Sequence, residues 1–141
     1  MRTYQMILCL FLGIFLGSKG YAQQADKVLG VWLTDDKQGK IQIYKQDNSF
    51  FGKIISGNDP NRVDSNNPDE KLRSRKLIGT VILSNFVFDG KATWEDGKIY
   101  DPNNGKTYSC LMKLKDANTL EIRGYVGIAM FGRTAYWTRS N

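Results

Sequence analysis

The side chains that most often carry catalysis are sparse in this chain. Its 141 residues include no histidine, which removes Ser-His-Asp and Cys-His catalysis and His-ligated zinc or haem. Two cysteines, Cys9 and Cys110, are too few for a thiolate cluster, and no Gly-rich phosphate loop stands between a strand and a helix. No cofactor and no metal site follow from these residue types. Carboxylates remain for acid–base work. A glycoside hydrolase sets two acids about 5–10 Å apart across a cleft, and Asp35, Asp36, Glu95, Asp96 and Asp101 qualify by type. Their neighbours give them structural roles instead. Asp35 and Asp36 precede a Gly-containing turn, Glu95-Asp96-Gly97 is a tight-turn string, and Asp101-Pro102 organises a loop through the Asp side chain. The chain therefore reads as a non-enzyme.

Two further groups bear on binding. Asp59, Asn61, Asp64, Asn66, Asn67, Asp69 and Glu70 offer hard oxygens, but counting from Asp59 puts Asp64 where a calcium loop needs Gly, although Glu70 stands at position twelve, so a disordered or helix-capping loop is the better reading. Trp94, Tyr100, Tyr108, Arg123, Tyr125 and Arg133 are the ligand-binding candidates. Pockets combine aromatic walls with a few placed polar groups, and Arg suits a carboxylate or phosphate head. The competing role for this set is to close the fold and satisfy buried hydrogen bonds.

The elements that must carry these residues are short strands separated by Gly, Asn, Asp and Pro. The pattern predicts strands at Val28–Thr34, Lys40–Gln46, Phe50–Ser56, Val81–Phe88, Lys91–Glu95, Lys98–Asp101, Lys106–Lys115, Thr119–Val126 and Arg133–Arg139. Alternation supports them, as in Tyr108, Cys110, Met112 and Leu114 on one side of a single run. One segment breaks the pattern: Asn67-Pro68-Asp69-Glu70 reads as a helix start, with Asn67 as cap and a short helix to about Lys76. Eight or nine strands with almost no helix make an all-β fold, a closed barrel or a sandwich.

The chain begins in the form of a secretory signal. Arg2 is followed by an apolar run from Met6 to Gly17, then Gly20-Tyr21-Ala22 with small residues one and three positions before a cut at Gln23. A run of this length falls short of the roughly 20 residues that span a bilayer. The expected organisation is a signal peptide over 1–22 and one β-barrel domain over 23–141, with no retained membrane anchor. The mature chain is then periplasmic or extracellular. Its formal charge drops from +6 to +4, since Arg2 and Lys19 leave and no acid does. The remaining bases are scattered apart from Lys71, Arg73, Arg75 and Lys76, which argues against a nucleic-acid surface. Cys110 is left alone and in phase with core residues, a buried thiol rather than a nucleophile.

Gly30-Val31-Trp32, with Arg139 after Trp137, resembles the calycin arrangement of lipocalins and fatty-acid-binding proteins. The resemblance implies an antiparallel up-and-down barrel, with Trp32 plugging one end and a basic side chain across it, Arg139 first and Arg133 second. A second resemblance is more extensive. Trp94, Gly97-Lys-Ile-Tyr-Asp-Pro102, Gly105-Lys-Thr-Tyr108, Arg123-Gly-Tyr-Val-Gly127 and Gly132-Arg133…Trp137-Thr-Arg139 look like a family of exported bacterial proteins known as domain of unknown function 2147. It extends over about residues 28–139 and implies a lipocalin-like barrel in the envelope, with structural roles for Gly30, Trp32, Asp101, Pro102, Trp137 and Arg139. The function expected is non-enzymatic binding of a small amphipathic or lipid-like ligand. The alternative is a filled barrel serving as a structural or protein-interaction module.

Overall fold

The computed structural model describes residues 17–141. Most of the apolar run of the expected signal peptide lies outside the described residues. Its final residues open helix α1 (Gly17–Ala25), which continues through the expected cut into a 3-10 turn at Asp26–Val28.

Eight strands follow: β1 (Gly30–Leu33), β2 (Gly39–Gln46), β3 (Ser49–Gly57), β4 (Val81–Phe88), β5 (Thr93–Asp101), β6 (Lys106–Asp116), β7 (Thr119–Tyr125) and β8 (Gly132–Ser140). Each pairs antiparallel with the next, and β8 returns to β1, closing the barrel. The all-β, up-and-down barrel is thus the fold. Closure between β1 and β8 rests on three pairs, Val31–Ser140, Trp32–Arg139 and Leu33–Thr138. The turns 47–48, 89–92 and 117–118 lie at one end, here the lower, together with α1. The loops 34–38, 58–80, 102–105 and 126–131 lie at the upper end.

Two details differ from the sequence reading. Glu95-Asp96-Gly97 is not a turn between two strands but a bulge inside the single strand β5. Trp94 pairs with Met112 and Gly97 with Cys110, so β5 holds one residue more than β6 between those pairs. Asp96 takes up the extra residue in the left-handed region, at φ 60°. The helix expected from Pro68 to about Lys76 is only a 3-10 turn, Glu70–Leu72, with Asp69 as its cap. Asn67 does not cap because its amide is tied back to Asp64 at 2.8 Å, while its oxygen accepts from the Asp69 N–H.

The barrel interior is filled. Trp32, Phe50, Leu83, Phe86, Trp94, Cys110, Met112 and Leu120 are all fully buried and form one cluster with Ile41, Ile43, Phe88, Ile122 and Trp137. A second bulge, at Asn85 (φ 61°), adds a residue to β4 between its pairs with Gly52 and Phe50. It lies beside the Asp96 bulge, since Ser84 pairs with Lys98 and Val87 with Glu95. Together they turn Phe86 inward so that its ring rests on Gly97, where any Cβ would collide with it. Gly52 makes the same allowance for Leu83 and Ile41. Large rings thus occupy the central space that a ligand would otherwise take.

Candidate functional site

At the lower end, Arg139 lies 4.2 Å from the Trp32 ring centroid. Its guanidinium donates to the carbonyls of Leu29, Lys27 and Ala117 at 2.9, 2.8 and 3.0 Å. It thereby ties the chain entering β1 to the β6–β7 turn. Gly30 is needed there: its φ is +126°, and a Cβ would stand 3.0 Å from Arg139 Nη1. The Trp32 indole donates to Val28 O at 2.9 Å and the Trp94 indole to Ala25 O at 3.0 Å. Both rings therefore plug this end beneath α1. Tyr21 sets its ring edge on Phe88 and donates to the Phe88 carbonyl at 2.8 Å. Two clefts of about 370 Å³ each flank α1 here, and neither is lined by any of the six ligand-binding candidates.

At the upper end, segment 58–80 is fastened to the β5–β6 turn. Arg62 donates to the Asn103 side chain at 2.8 Å, and the Asn66 amide donates to the carbonyls of Pro102 and Asn103 at 3.1 Å. Asp101 shapes the turn by accepting from the Asn103 N–H at 2.9 Å. Gly105, at φ +71°, leaves room for the Asn66 carbonyl, which a Cβ would strike. The segment carries one fully buried carboxylate, Asp64. Tyr100 donates to it at 2.6 Å, Asn67 at 2.8 Å and Arg75 Nε at 3.0 Å, and Arg75 Nη2 completes an ion pair at 2.9 Å. Burial alone would raise this carboxyl's pKa, but those hydrogen bonds and the Arg75 charge outweigh it, holding it below the usual Asp value. The Tyr100 phenol is pushed up to about 12, by burial first and then by its bond to Asp64. The Asp64 oxygens are thus engaged by Tyr100, Asn67 and Arg75, and among the described residues no group of three or more His, Cys, Asp or Glu side chains is placed to hold a metal ion.

The six ligand-binding candidates do not converge. Trp94 is core at the lower end. Tyr100 is committed to Asp64. Arg123 and Tyr125 alternate with the inward Ile122 and Gly124, so both face outward. Arg123 donates to Ala129 O at 2.6 Å, Thr134 Oγ1 at 2.6 Å and Met130 O at 3.2 Å. It is the clamp of the β7–β8 loop. Only Tyr108 and Arg133 share a space. A Cβ on Gly124 would meet Ile99 at 3.5 Å and Tyr108 at 3.8 Å, and Gly124 pairs directly with Arg133. The four residues therefore ring the upper mouth, with the Tyr108 hydroxyl accepting from Asn104 at 2.9 Å. The carboxylates weighed for hydrolysis are dispersed: Asp35 and Asp36 lie in the β1–β2 turn, Glu95 and Asp96 at the β5 bulge, and Asp101 at the β5–β6 turn.

The signature of a bacterial family described as "Uncharacterized protein conserved in bacteria (DUF2147)" matches residues 30–139. The chain belongs to this family. A solved structure described as protein HP1028 from the human pathogen Helicobacter pylori, belonging to the lipocalin family, is similar to this DUF2147 chain at 27% identity and a TM-score of 0.73. The match covers 81% of this chain and 83% of that one. No curated protein matches. The fold of this DUF2147 protein is thus lipocalin-like. No described helix is long and apolar enough to cross a membrane.

Sequence reasoning missed two features of this DUF2147 protein. The first is the Asp64–Arg75–Tyr100 group, whose members are far apart in sequence. The second is the loop 126–131, where Val126, Ile128, Met130 and Phe131 are all exposed, three of them above 70%. Its signal was available in the apolar string Val-Gly-Ile-Ala-Met-Phe between two strands, where a polar turn is the rule.

Proposed function

We propose that this is an exported, non-enzymatic envelope protein that works as an interaction module, through the surface of a filled lipocalin-like barrel. The observation that carries this reading is the packing of Phe86 against Gly97 within a core of fully buried Trp32, Phe50, Leu83, Trp94 and Met112. A barrel of eight strands has an interior that either takes side chains or holds one small ligand, and here side chains occupy it. The exposed apolar loop 126–131 supplies a surface of the kind that marks interaction sites. Cys110 is no nucleophile, because burial pushes its thiol up to about 12.

An amphiphile held at the upper mouth is the second reading. Gly124 favours it, because its missing side chain leaves a methyl-sized space against Ile99 and Tyr108, on a residue paired with Arg133. Native mass spectrometry of protein purified from its own envelope separates the two. The filled-barrel reading expects the bare chain mass and no saturable uptake of a fatty-acid series. A small molecule retained one-to-one would overturn it in favour of the mouth site. The same spectrum tests export: the mature chain should begin at Gln23, and soluble cytoplasmic protein beginning at Met1 would refute that part.

A further inference from the structure

We infer that the β7–β8 loop is a lipid-docking tip, which seats the barrel on an anionic membrane surface. This rests on the interaction-module reading and names the partner of that surface. Val126, Ile128, Met130 and Phe131 are 71, 55, 76 and 73% exposed within six consecutive residues. Four large apolar side chains so close together on a connecting loop cost solvation in water, and their burial is what a partner would supply. The loop is not loose. Arg123 clamps the carbonyls of Ala129 and Met130 and the hydroxyl of Thr134, and Ala129–Phe131 form a 3-10 turn. A preformed tip binds with less ordering cost than a floppy one.

Shape and charge select the partner. The tip is a convex hairpin end, suited to a fluid surface that closes around it. A groove would instead suit a helix or a strand. The last β1–β8 pair is Leu33 with Thr138, so residues 132–137 of β8 continue upward without a β1 partner. That is about 20 Å of strand at 3.3 Å per residue. From Tyr125 to Trp137 the chain holds no acid and one arginine, Arg133; Arg123 is spent on the loop carbonyls and Arg139 lies at the lower end. Arg133 is exposed two residues after Phe131, placed to meet headgroup phosphates as the apolar side chains enter the interface. Interfacial apolar groups typically reach about 5–10 Å into the headgroup and acyl boundary.

Flotation of the folded protein with vesicles tests this. Vesicles rich in phosphatidylglycerol should carry the wild type upward, and phosphatidylcholine vesicles should carry much less. Binding to the anionic vesicles should weaken as salt rises. The double variant Met130→Ser with Phe131→Ser should lower partitioning by about tenfold or more and keep the parent melting midpoint, because both side chains are exposed. A wild type that floats with no vesicle composition overturns the proposal, and so does a double variant that floats equally well. A photocrosslinker in place of Met130 that joins an envelope protein rather than lipid also overturns it, while leaving the interaction-module reading intact. A ligand retained inside the barrel in native mass spectrometry removes that reading instead, whatever the vesicles show.

Discussion

Replacing Asp64 with Asn removes one charge and almost no volume, so its effect isolates the buried polar group that fastens segment 58–80. In the native protein Oδ1 accepts from Tyr100, and Oδ2 accepts from Asn67 and from Arg75 Nε, with Arg75 Nη2 in ion-pair contact. An amide has only one acceptor oxygen. If that oxygen stays with Tyr100, the new NH2 faces the donors of Asn67 and Arg75, and if the amide flips, Tyr100 loses its acceptor. A hydrogen bond to a charged group contributes about 1.5–3 kcal/mol, and breaking a buried pair by removing one partner costs about 3–5 kcal/mol. The Arg75 side chain is 37% exposed and recovers water, which lowers the sum. The expected loss is about 2–4 kcal/mol, out of a total of about 5–15 kcal/mol for a small domain. Urea unfolding followed by tryptophan fluorescence should show a midpoint lower by roughly 1–2 M at a typical slope. The pH dependence has a fixed sign. The Asp64 carboxyl lies below its unfolded value of about 3.9, so its stabilisation is complete above that pH and is lost as pH falls through the native value. The gap between wild type and Asp64→Asn should therefore narrow as pH drops below about 4. Equal midpoints at neutral pH, or a gap that holds constant in acid, would refute the reasoning.

Three other outcomes follow from the same contacts. Trp32→Ala should cost about 3–5 kcal/mol, since the ring is fully buried under Arg139; an unchanged thermal midpoint would show that the plug contributes nothing. Arg123→Met should release the tip, speeding amide exchange over residues 128–134 by about tenfold or more and lowering global stability by about 1–2 kcal/mol. Exchange identical to wild type would contradict the clamp. The Cys110 thiol, buried and pushed up to about 12, should resist thiol reagents at pH 8 in the folded state and react promptly in denaturant; rapid labelling of native protein would place it at the surface.

The strands were legible in the sequence, while the choice of a barrel over a sandwich came from the calycin resemblance. Alternation of apolar and polar residues in runs such as Lys106–Asp116, bounded by Asp-Gly and Asn-Gly strings, is a local property set by a two-residue repeat and by turn chemistry. The nearness of Gly30, Trp32 and Arg139 was an expectation of the calycin resemblance, and antiparallel closure meets it by pairing the first and last strands. Alternation was likewise enough to put Arg123 on the outer face. What it holds there, the carbonyls of its own hairpin loop, came only with the folded loop. The interior was decided by tertiary structure as well. The bulges at Asn85 and Asp96 each insert one residue and reverse the alternation beyond it. A strict two-residue count along β4 and β5 therefore misassigns the residues on one side of each bulge. Asp64 found partners 11 and 36 residues away, and its role as the buried anchor of a loop could not be read from a stretch that is polar throughout. Local sequence sets the backbone repeat. Which side chains share a space depends on strand register and bulges, and these are fixed by packing between segments far apart in the chain.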